Sequence, residues 1–298
     1  MTSPVIAVLG LGAMGLPMAT RLAEKFTVKG FDINPERLAL GARSGVSSAG
    51  SAPEAATGAD IVLLAVRNRF QLDEALYGDQ GVVAVLEPGA TILLTSTVGI
   101  DAVRDVASRL ADDGLHLVDA PISGGPVRAG TGDLLITVGA SDDAYAIVLG
   151  ALQHLSSTLV RIGSRPGDGQ AMKTVNQLLC GVHIAAGAEA LALADALGLD
   201  PAVALQTLGA GAAASFMLAD RGPRMLQAYE PDGAEVKSRI DIFVKDMGIV
   251  NSAARAVGLA TPIAAAAEGL YLIGQANGQA AMDDSSVIKV IAPNRKGA

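Results

Sequence analysis

Apolar and polar positions give the chain two successive rhythms. Over roughly the first 163 residues, short unbroken apolar runs alternate with stretches of helical spacing. Val5–Leu9 (VIAVL) is a compact apolar run ending at Gly10, and a helical pattern follows over 14–25. Thr27–Phe31 reads as the next strand and 35–44 as the next helix. Later strands are expected at 61–66, 91–95, 115–119 and 134–138, with helices around 71–77, 101–110 and 142–152. Strands alternating with helices predict βαβ units and a mostly parallel, doubly wound sheet.

The rhythm changes near residue 163. The turn-rich stretch GSRPGDG at 163–169 reads as a linker. From 170 to 197 the chain is rich in Ala and Leu and free of Pro, which predicts one helix of about 28 residues, roughly 40 Å long. Lys173, Asn176, Gln177, His183, Glu189 and Asp195 make that helix too polar for a bilayer span. Helical segments continue to the C-terminus. Two domains are therefore expected, an α/β domain over 1–163 and an all-α domain over 164–298, joined by the long helix.

Composition removes several classes of function. Half the residues are apolar and 17% are charged, which suits packed cores rather than disorder. Aromatic residues make up 3% and Trp is absent, so stacking platforms for single-stranded nucleic acid are not expected. A net charge of −8 without a basic block argues against nucleic-acid backbones and anionic membranes. A single Cys and three His leave no disulfide framework and no metal site to expect. Residues 4–20 are uncharged like a signal sequence, but no Lys or Arg precedes them, Gly10, Gly12 and Gly15 recur within them, and Pro17 interrupts them. A soluble, cytoplasmic protein is expected.

Three motifs carry chemistry. The first is Gly10-Leu11-Gly12-Ala13-Met14-Gly15, between a predicted strand and a predicted helix. Gly10 permits a tight turn, Gly12 lets backbone approach a pyrophosphate, and Gly15 lets helix and strand pack closely; the helix N-terminus then faces the phosphates. Asp32 falls 22 residues after Gly10, at the end of the second strand, where a carboxylate accepts hydrogen bonds from ribose hydroxyls and repels a 2′-phosphate. Dinucleotide binding is expected, with NAD preferred over NADP.

The second motif is DAPISGGPVRAGTGDL at 119–134. Ser123, Gly124 and Gly125 form a tight turn after a strand, and their exposed N–H groups could cradle a carboxylate or merely link two elements. The third is GDGQAMKTVNQ at 167–177, where Lys173, Asn176 and Gln177 stand at i, i+3 and i+4 on one helix face. Lys173 there is either a snorkelling surface residue or, if the helix lines a cleft, an acid/base group.

Together GLGAMG, TSTV (95–98), the 119–134 segment and the 167–177 segment, with DIFVKDMG at 241–248, resemble the β-hydroxyacid dehydrogenases in order and content. That superfamily includes 3-hydroxyisobutyrate dehydrogenase, tartronate semialdehyde reductase and 6-phosphogluconate dehydrogenase. The likeness runs from about Val5 to Val290, and QLLCGVHIAAGAEALALA, DIFVKDMG and DDSSVIK look closest to its L-threonate dehydrogenase branch. The resemblance implies a Rossmann-type domain and an all-α domain, an NAD-linked oxidation of a small hydroxy acid, and a homodimer or homotetramer. It implies that Lys173 moves the hydroxyl proton, that Ser123, Gly124 and Gly125 hold the substrate carboxylate, and that Asn176, with Gln177, holds substrate oxygen. It places Leu11, Met14, Asp32, Val66 and Arg67 at the adenosine and diphosphate, Ser96 and Thr97 at the nicotinamide side, and Lys245 over the cofactor, with Asp246 as its polar neighbour.

Three positions depart from the common pattern. Gln177 stands where many members carry Asn, Arg67 where Pro is common, and Gly99-Ile100 where a Pro-containing continuation is usual. Relatives that bind NAD without catalysis lose the lysine and gain basic extensions, and imine reductases replace it with Asp or Tyr; Lys173 is retained here. Cys180 reads as a small buried residue, and Asp283-Asp284 as a solvated turn or cap rather than a metal site, with a substrate-side role left open by the resemblance to the threonate branch.

Overall fold

A computed structural model describes residues 3–294. Contacts divide the chain into two compact units, Met1–Lys173 and Thr174–Ala298. The first contains β1 (Val5–Leu9), α1 (Gly15–Ala23), β2 (Thr27–Phe31), α2 (Pro35–Arg43), β3 (Ser47–Ser48), α3 (Ala52–Ala56), β4 (Ile61–Leu64), α4 (Arg69–Tyr77), β5 (Thr91–Leu94) and α5 (Ile100–Asp112). It continues through β6 (His116–Asp119), β7 (Ile122–Ser123), α6 (Gly125–Thr131), β8 (Leu134–Gly139), α7 (Asp142–Leu155) and β9 (Ser156–Gly163), and holds the start of α8 (Asp168–Ala196).

The strands form one sheet in the order β3-β2-β1-β4-β5-β6-β8-β7, with β9 on β8. β1 to β6 pair in parallel, β8 runs antiparallel to β6 and β7, and β9 is parallel to β8. The unbroken apolar runs follow from burial on both faces. Along β1, Ile6 and Val8 enter one core with Leu22 and Val148, while Ala7 and Leu9 enter the other with Leu72 and Val106. Side-chain caps fix several helix starts: Asn34 accepts from Glu36 N ahead of Pro35, and Asn68 and Ser141 cap α4 and α7 in the same way.

Among the elements of this unit, β3, α3, β7, α6 and β9 were not expected. β9 is an edge strand whose side chains are largely exposed, so its residues lack the apolar run that marks the others. In the Gly-rich 119–134 segment, residues after the turn form the short helix α6, with Pro126 in its first turn and Gly132 closing it at φ 72°.

The second unit comprises the rest of α8, then α9 (Pro201–Ala210), α10 (Phe216–Gln227), α11 (Ile240–Ala256), α12 (Pro262–Ala276) and α13 (Ile288–Ile291). Ile184, Ala188, Phe243, Met247, Val250 and Tyr271 form the middle of its core. A Cβ on Gly181 would lie 2.2 Å from Met247 Sδ, so α8 leaves no room for a side chain there against α11. α8 is more apolar than its polar residues suggested: by length and its mean hydropathy of 1.5 over 18 residues it could cross a bilayer, although half of that window is buried within the protein.

Candidate active site

The glycine-rich turn after β1 is shaped by close contacts. Gly10 sits at φ +92°, and a Cβ there would lie 2.5 Å from the Ala65 carbonyl oxygen; one on Gly15 would lie 1.8 Å from the Gly10 carbonyl oxygen. Neither position admits another residue. Among the described residues, nothing lies within 4 Å of a Cβ built on Gly12, so backbone there faces open space. The first residues of α1 have no side-chain cap and no acidic residue beside them, leaving their N–H groups and positive helix end for an anion. Asp32 Oδ2 accepts from Leu11 N (2.6 Å) and Oδ1 from Asn34 N (2.8 Å), so the carboxylate is held at the tip of β2. The site therefore fits a dinucleotide. Leu11 contributes backbone only, its side chain being buried under Gly30 and Gly41. Ala13 is exposed and Met14 partly so.

At the ends of β4 and β5, Val66 N donates to Ser96 Oγ (2.8 Å), which brings those two predicted residues together. Arg67 is exposed, and its N–H donates to Gln71 Oε1 (2.9 Å). Thr97 is half-buried beside Ser96. Gly99 sits at φ +96°, which accounts for glycine at this departure from the usual pattern.

Lys173 is not a surface residue. It is 8% exposed, and its Nζ donates to Ser123 Oγ at 2.8 Å. Two long-separated motifs thus meet through their reactive groups. Ser123 is followed by Gly124 at φ 143° and Gly125 at φ 75°, a turn closed to side chains by its dihedrals.

What fixes Lys173 was not foreseen. Gln170, one helical turn earlier and fully buried, donates from Nε2 to Ser96 O (3.0 Å) and Asp119 Oδ1 (2.9 Å). Its Oε1 accepts from Val98 N (3.1 Å) and Gly99 N (3.2 Å). Asp119 Oδ2 accepts from Gly167 N (2.9 Å) and Gln170 N (2.8 Å). Burial pushes the Asp119 carboxyl up to about 6, against the pull of the Gln170 amide and the surrounding backbone N–H groups. Their only mark in the sequence is membership of two motifs, Asp119 opening one and Gln170 lying three residues before Lys173 in another; nothing there pairs them.

In the second unit, Gln177 Nε2 donates to Asp246 Oδ2 at 2.6 Å, and Lys245 Nζ lies 2.9 Å from Asp246 Oδ1. Asn176 Nδ2 donates to Gln177 Oε1 (2.9 Å) and to Cys180 Sγ (3.4 Å). Cys180 is half-buried rather than buried: it packs against the edge of the core and its Sγ accepts from Asn176. Asp283 and Asp284 are not solvated. Asp283 caps a short turn and accepts from Arg224 Nε (3.1 Å) and Lys237 N (2.9 Å), while Asp284 pairs with Arg221 (2.9 Å). Their buried carboxylates are balanced by arginines from α10, which adjacent acidic residues alone did not reveal. Among the described residues no cluster could hold a metal.

A dinucleotide turn and a buried lysine held on a hydroxyl are compatible with a nicotinamide-dependent dehydrogenase, and the likeness to known proteins shows that class. The family profile for the NAD binding domain of 6-phosphogluconate dehydrogenase matches residues 5–163, and that for the NAD-binding region of NADP-dependent 3-hydroxyisobutyrate dehydrogenase matches 167–291. The L-threonate dehydrogenase of Cupriavidus necator is 36% identical, over 96% of this chain and 95% of that one. The crystal structure of 3-hydroxyisobutyrate dehydrogenase from Salmonella typhimurium has a TM-score of 0.89 at 32% identity, covering 97% of this chain and 100% of that one. Mycobacterium tuberculosis 3-hydroxyisobutyrate dehydrogenase with L-serine follows at TM-score 0.85 and 28% identity, over 98% of this chain and 100% of the other. The chain belongs to this family of NAD-dependent hydroxyacid dehydrogenases.

Proposed function

We propose that the protein oxidises a four-carbon sugar acid such as L-threonate to its 2-oxo acid, with Lys173 as general acid/base. The observation that carries this reading is the buried Lys173 amine set on Ser123 Oγ at 2.8 Å, next to the Gly124–Gly125 turn. When bound at the glycine turn, NAD⁺ supplies the hydride acceptor. The substrate carboxylate docks on the N–H groups of residues 123–125. Lys173, in its neutral form, accepts the hydroxyl proton as the C–H bond breaks, and Ser123 holds the amine in line. Asn176 and Gln177, one turn further along α8, would hold substrate oxygen, and the family resemblance assigns Lys245 to the cofactor. The choice of substrate follows the likeness to L-threonate dehydrogenases over nearly the whole chain. The likeness to 3-hydroxyisobutyrate dehydrogenase structures favours a second reading, oxidation of a β-hydroxy acid or reduction of tartronate semialdehyde.

NADH formation with L-threonate, 3-hydroxyisobutyrate and D-glycerate, followed by absorbance, separates the two readings; turnover of L-threonate above the others is expected. Positioned acid/base catalysis contributes about 10²–10⁴-fold, so Lys173→Ala should lower kcat by about that factor while NADH still binds. Near-normal kcat in that variant overturns the assignment.

A further inference from the structure

We infer that Asp246 and Gln177 fix the polarity of the Asn176 amide so that it offers its carbonyl oxygen, and that this selects acids carrying a second hydroxyl beside the reacting one. The inference rests on the proposed role of Asn176 at the substrate and deepens it.

The geometry starts from an unambiguous group. An ionised carboxylate only accepts hydrogen bonds. Asp246 is 3% exposed, and Lys245 Nζ lies 2.9 Å from its Oδ1. Its Oδ2, 2.6 Å from the Gln177 side-chain amide, must receive N–H, which sets Gln177 with Nε2 toward Asp246. Gln177 Oε1 is then turned to Asn176 and accepts from its Nδ2 at 2.9 Å. The second proton on Asn176 Nδ2 goes to Cys180 Sγ at 3.4 Å. Both donors of the Asn176 amide are spent within the protein. Its Oδ1 is what remains for a ligand, so the residue presents an acceptor.

A hydroxyl has one proton. In the proposed reaction the reacting hydroxyl gives its proton to Lys173, so it has none for Asn176. The acceptor at Asn176 therefore needs a different donor, and on a small hydroxy acid that donor is a neighbouring hydroxyl. Simple monohydroxy acids leave Oδ1 desolvated and unpaired, which is what makes a hydrogen-bonding site reject analogues lacking the group.

Asp246→Asn reverses the relay. The Lys245 ammonium draws the new amide's oxygen, which turns its NH₂ toward Gln177; Gln177 then turns over, and Asn176 presents NH₂ outward. Gln177→Leu cuts the relay at its middle and leaves the Asn176 amide free to turn.

The test is kcat/KM of the full chain with NAD⁺ for L-threonate and for 2,4-dihydroxybutanoate of the same configuration at C2, which lacks only the hydroxyl at C3. The wild type should favour L-threonate at least 100-fold, and Asp246→Asn and Gln177→Leu should each reduce that ratio at least tenfold. Thermal melts identify a variant that fails to fold, in which case the other is read. A wild-type ratio within threefold of unity overturns the relay and leaves the dehydrogenase reading standing, as does an unchanged ratio in a folded variant. Turnover of neither acid overturns the substrate reading and the relay with it.

Discussion

At the scale of single residues, Asp32 concentrates the cofactor choice. Its two oxygens are tied to Leu11 N and Asn34 N, which holds the carboxylate in place and leaves its outer lone pairs for ribose hydroxyls. A 2′-phosphate brought to the same point would meet a negative charge, and Ile33, the next residue, supplies no compensating cation. The wild type is expected to use NAD⁺ with the higher kcat/KM. Asp32→Ser should raise the NADP⁺ to NAD⁺ ratio at least tenfold by removing the repulsion. Initial rates with both cofactors check this, and a wild type that prefers NADP⁺ would show the ribose argument to be wrong.

At the scale of elements, the start of α8 is locked to the ends of β5 and β6 by Asp119 and Gln170. Every group aimed at the Asp119 carboxylate is a donor: Gly167 N, Gln170 N and Gln170 Nε2. Asn at 119 would turn an NH₂ group against one of them, while Gln170 cannot turn over because its Oε1 already serves Val98 N and Gly99 N. Leaving such a buried donor unmet costs about 1–3 kcal/mol, so Asp119→Asn should lower stability by that amount at pH 7.5. The pH dependence has a definite sign. In the fold the carboxyl is raised to about 6, above the value near 3.9 of an unfolded chain. The folded state therefore binds the proton more tightly, and the part of stability due to this group is full below about pH 4 and lost as pH rises through 6. Asn does not titrate. The stability lead of wild type over Asp119→Asn should thus shrink between pH 5 and 7.5, as read from denaturant unfolding; a lead that widens contradicts the raised value.

Legibility also differs by element. The central parallel strands stood out because they are buried on both faces and carry apolar runs, as in β1 (VIAVL) and β4 (IVLL). β9 did not, because its largely exposed edge mixes Ser, Thr and Arg with Val160 and Ile162 and breaks the apolar run. At the site, the glycine turn could be read from spacing, since a fixed backbone shape demands it. Spacing set Lys173 on one helix face with Asn176 and Gln177 but left it open as a surface residue, and only the family resemblance gave it a role. Asp119, Gln170 and the arginine partners of Asp283 and Asp284 could not be read, because their partners are 51 to 63 residues away and only folding pairs them.

At the scale of the whole molecule, the single chain leaves apolar surface uncovered. On α8, Met172, Val175, Leu179 and Leu193 are exposed, Val175 at 57% and Leu193 at 60%. At 100° per residue these four fall within an arc of about 60°, so they share one face of the helix. The same helix buries Lys173, Gln177, Ile184 and Leu191 elsewhere on its circumference, so its surroundings are one-sided, unlike those of a lipid-embedded span, which needs apolar groups all round. A one-sided apolar face suits another helix laid along it, and a second copy of this chain supplies an identical face through a two-fold axis. We therefore expect a homodimer, or a tetramer built from it, in which α8 packs on its counterpart. Sedimentation velocity at micromolar concentration should show no main monomer species. Leu179→Glu with Leu193→Glu places like charges along the seam and should shift the population toward monomer. A wild type that sediments as a monomer at those concentrations would show that this face is covered by something other than a second copy.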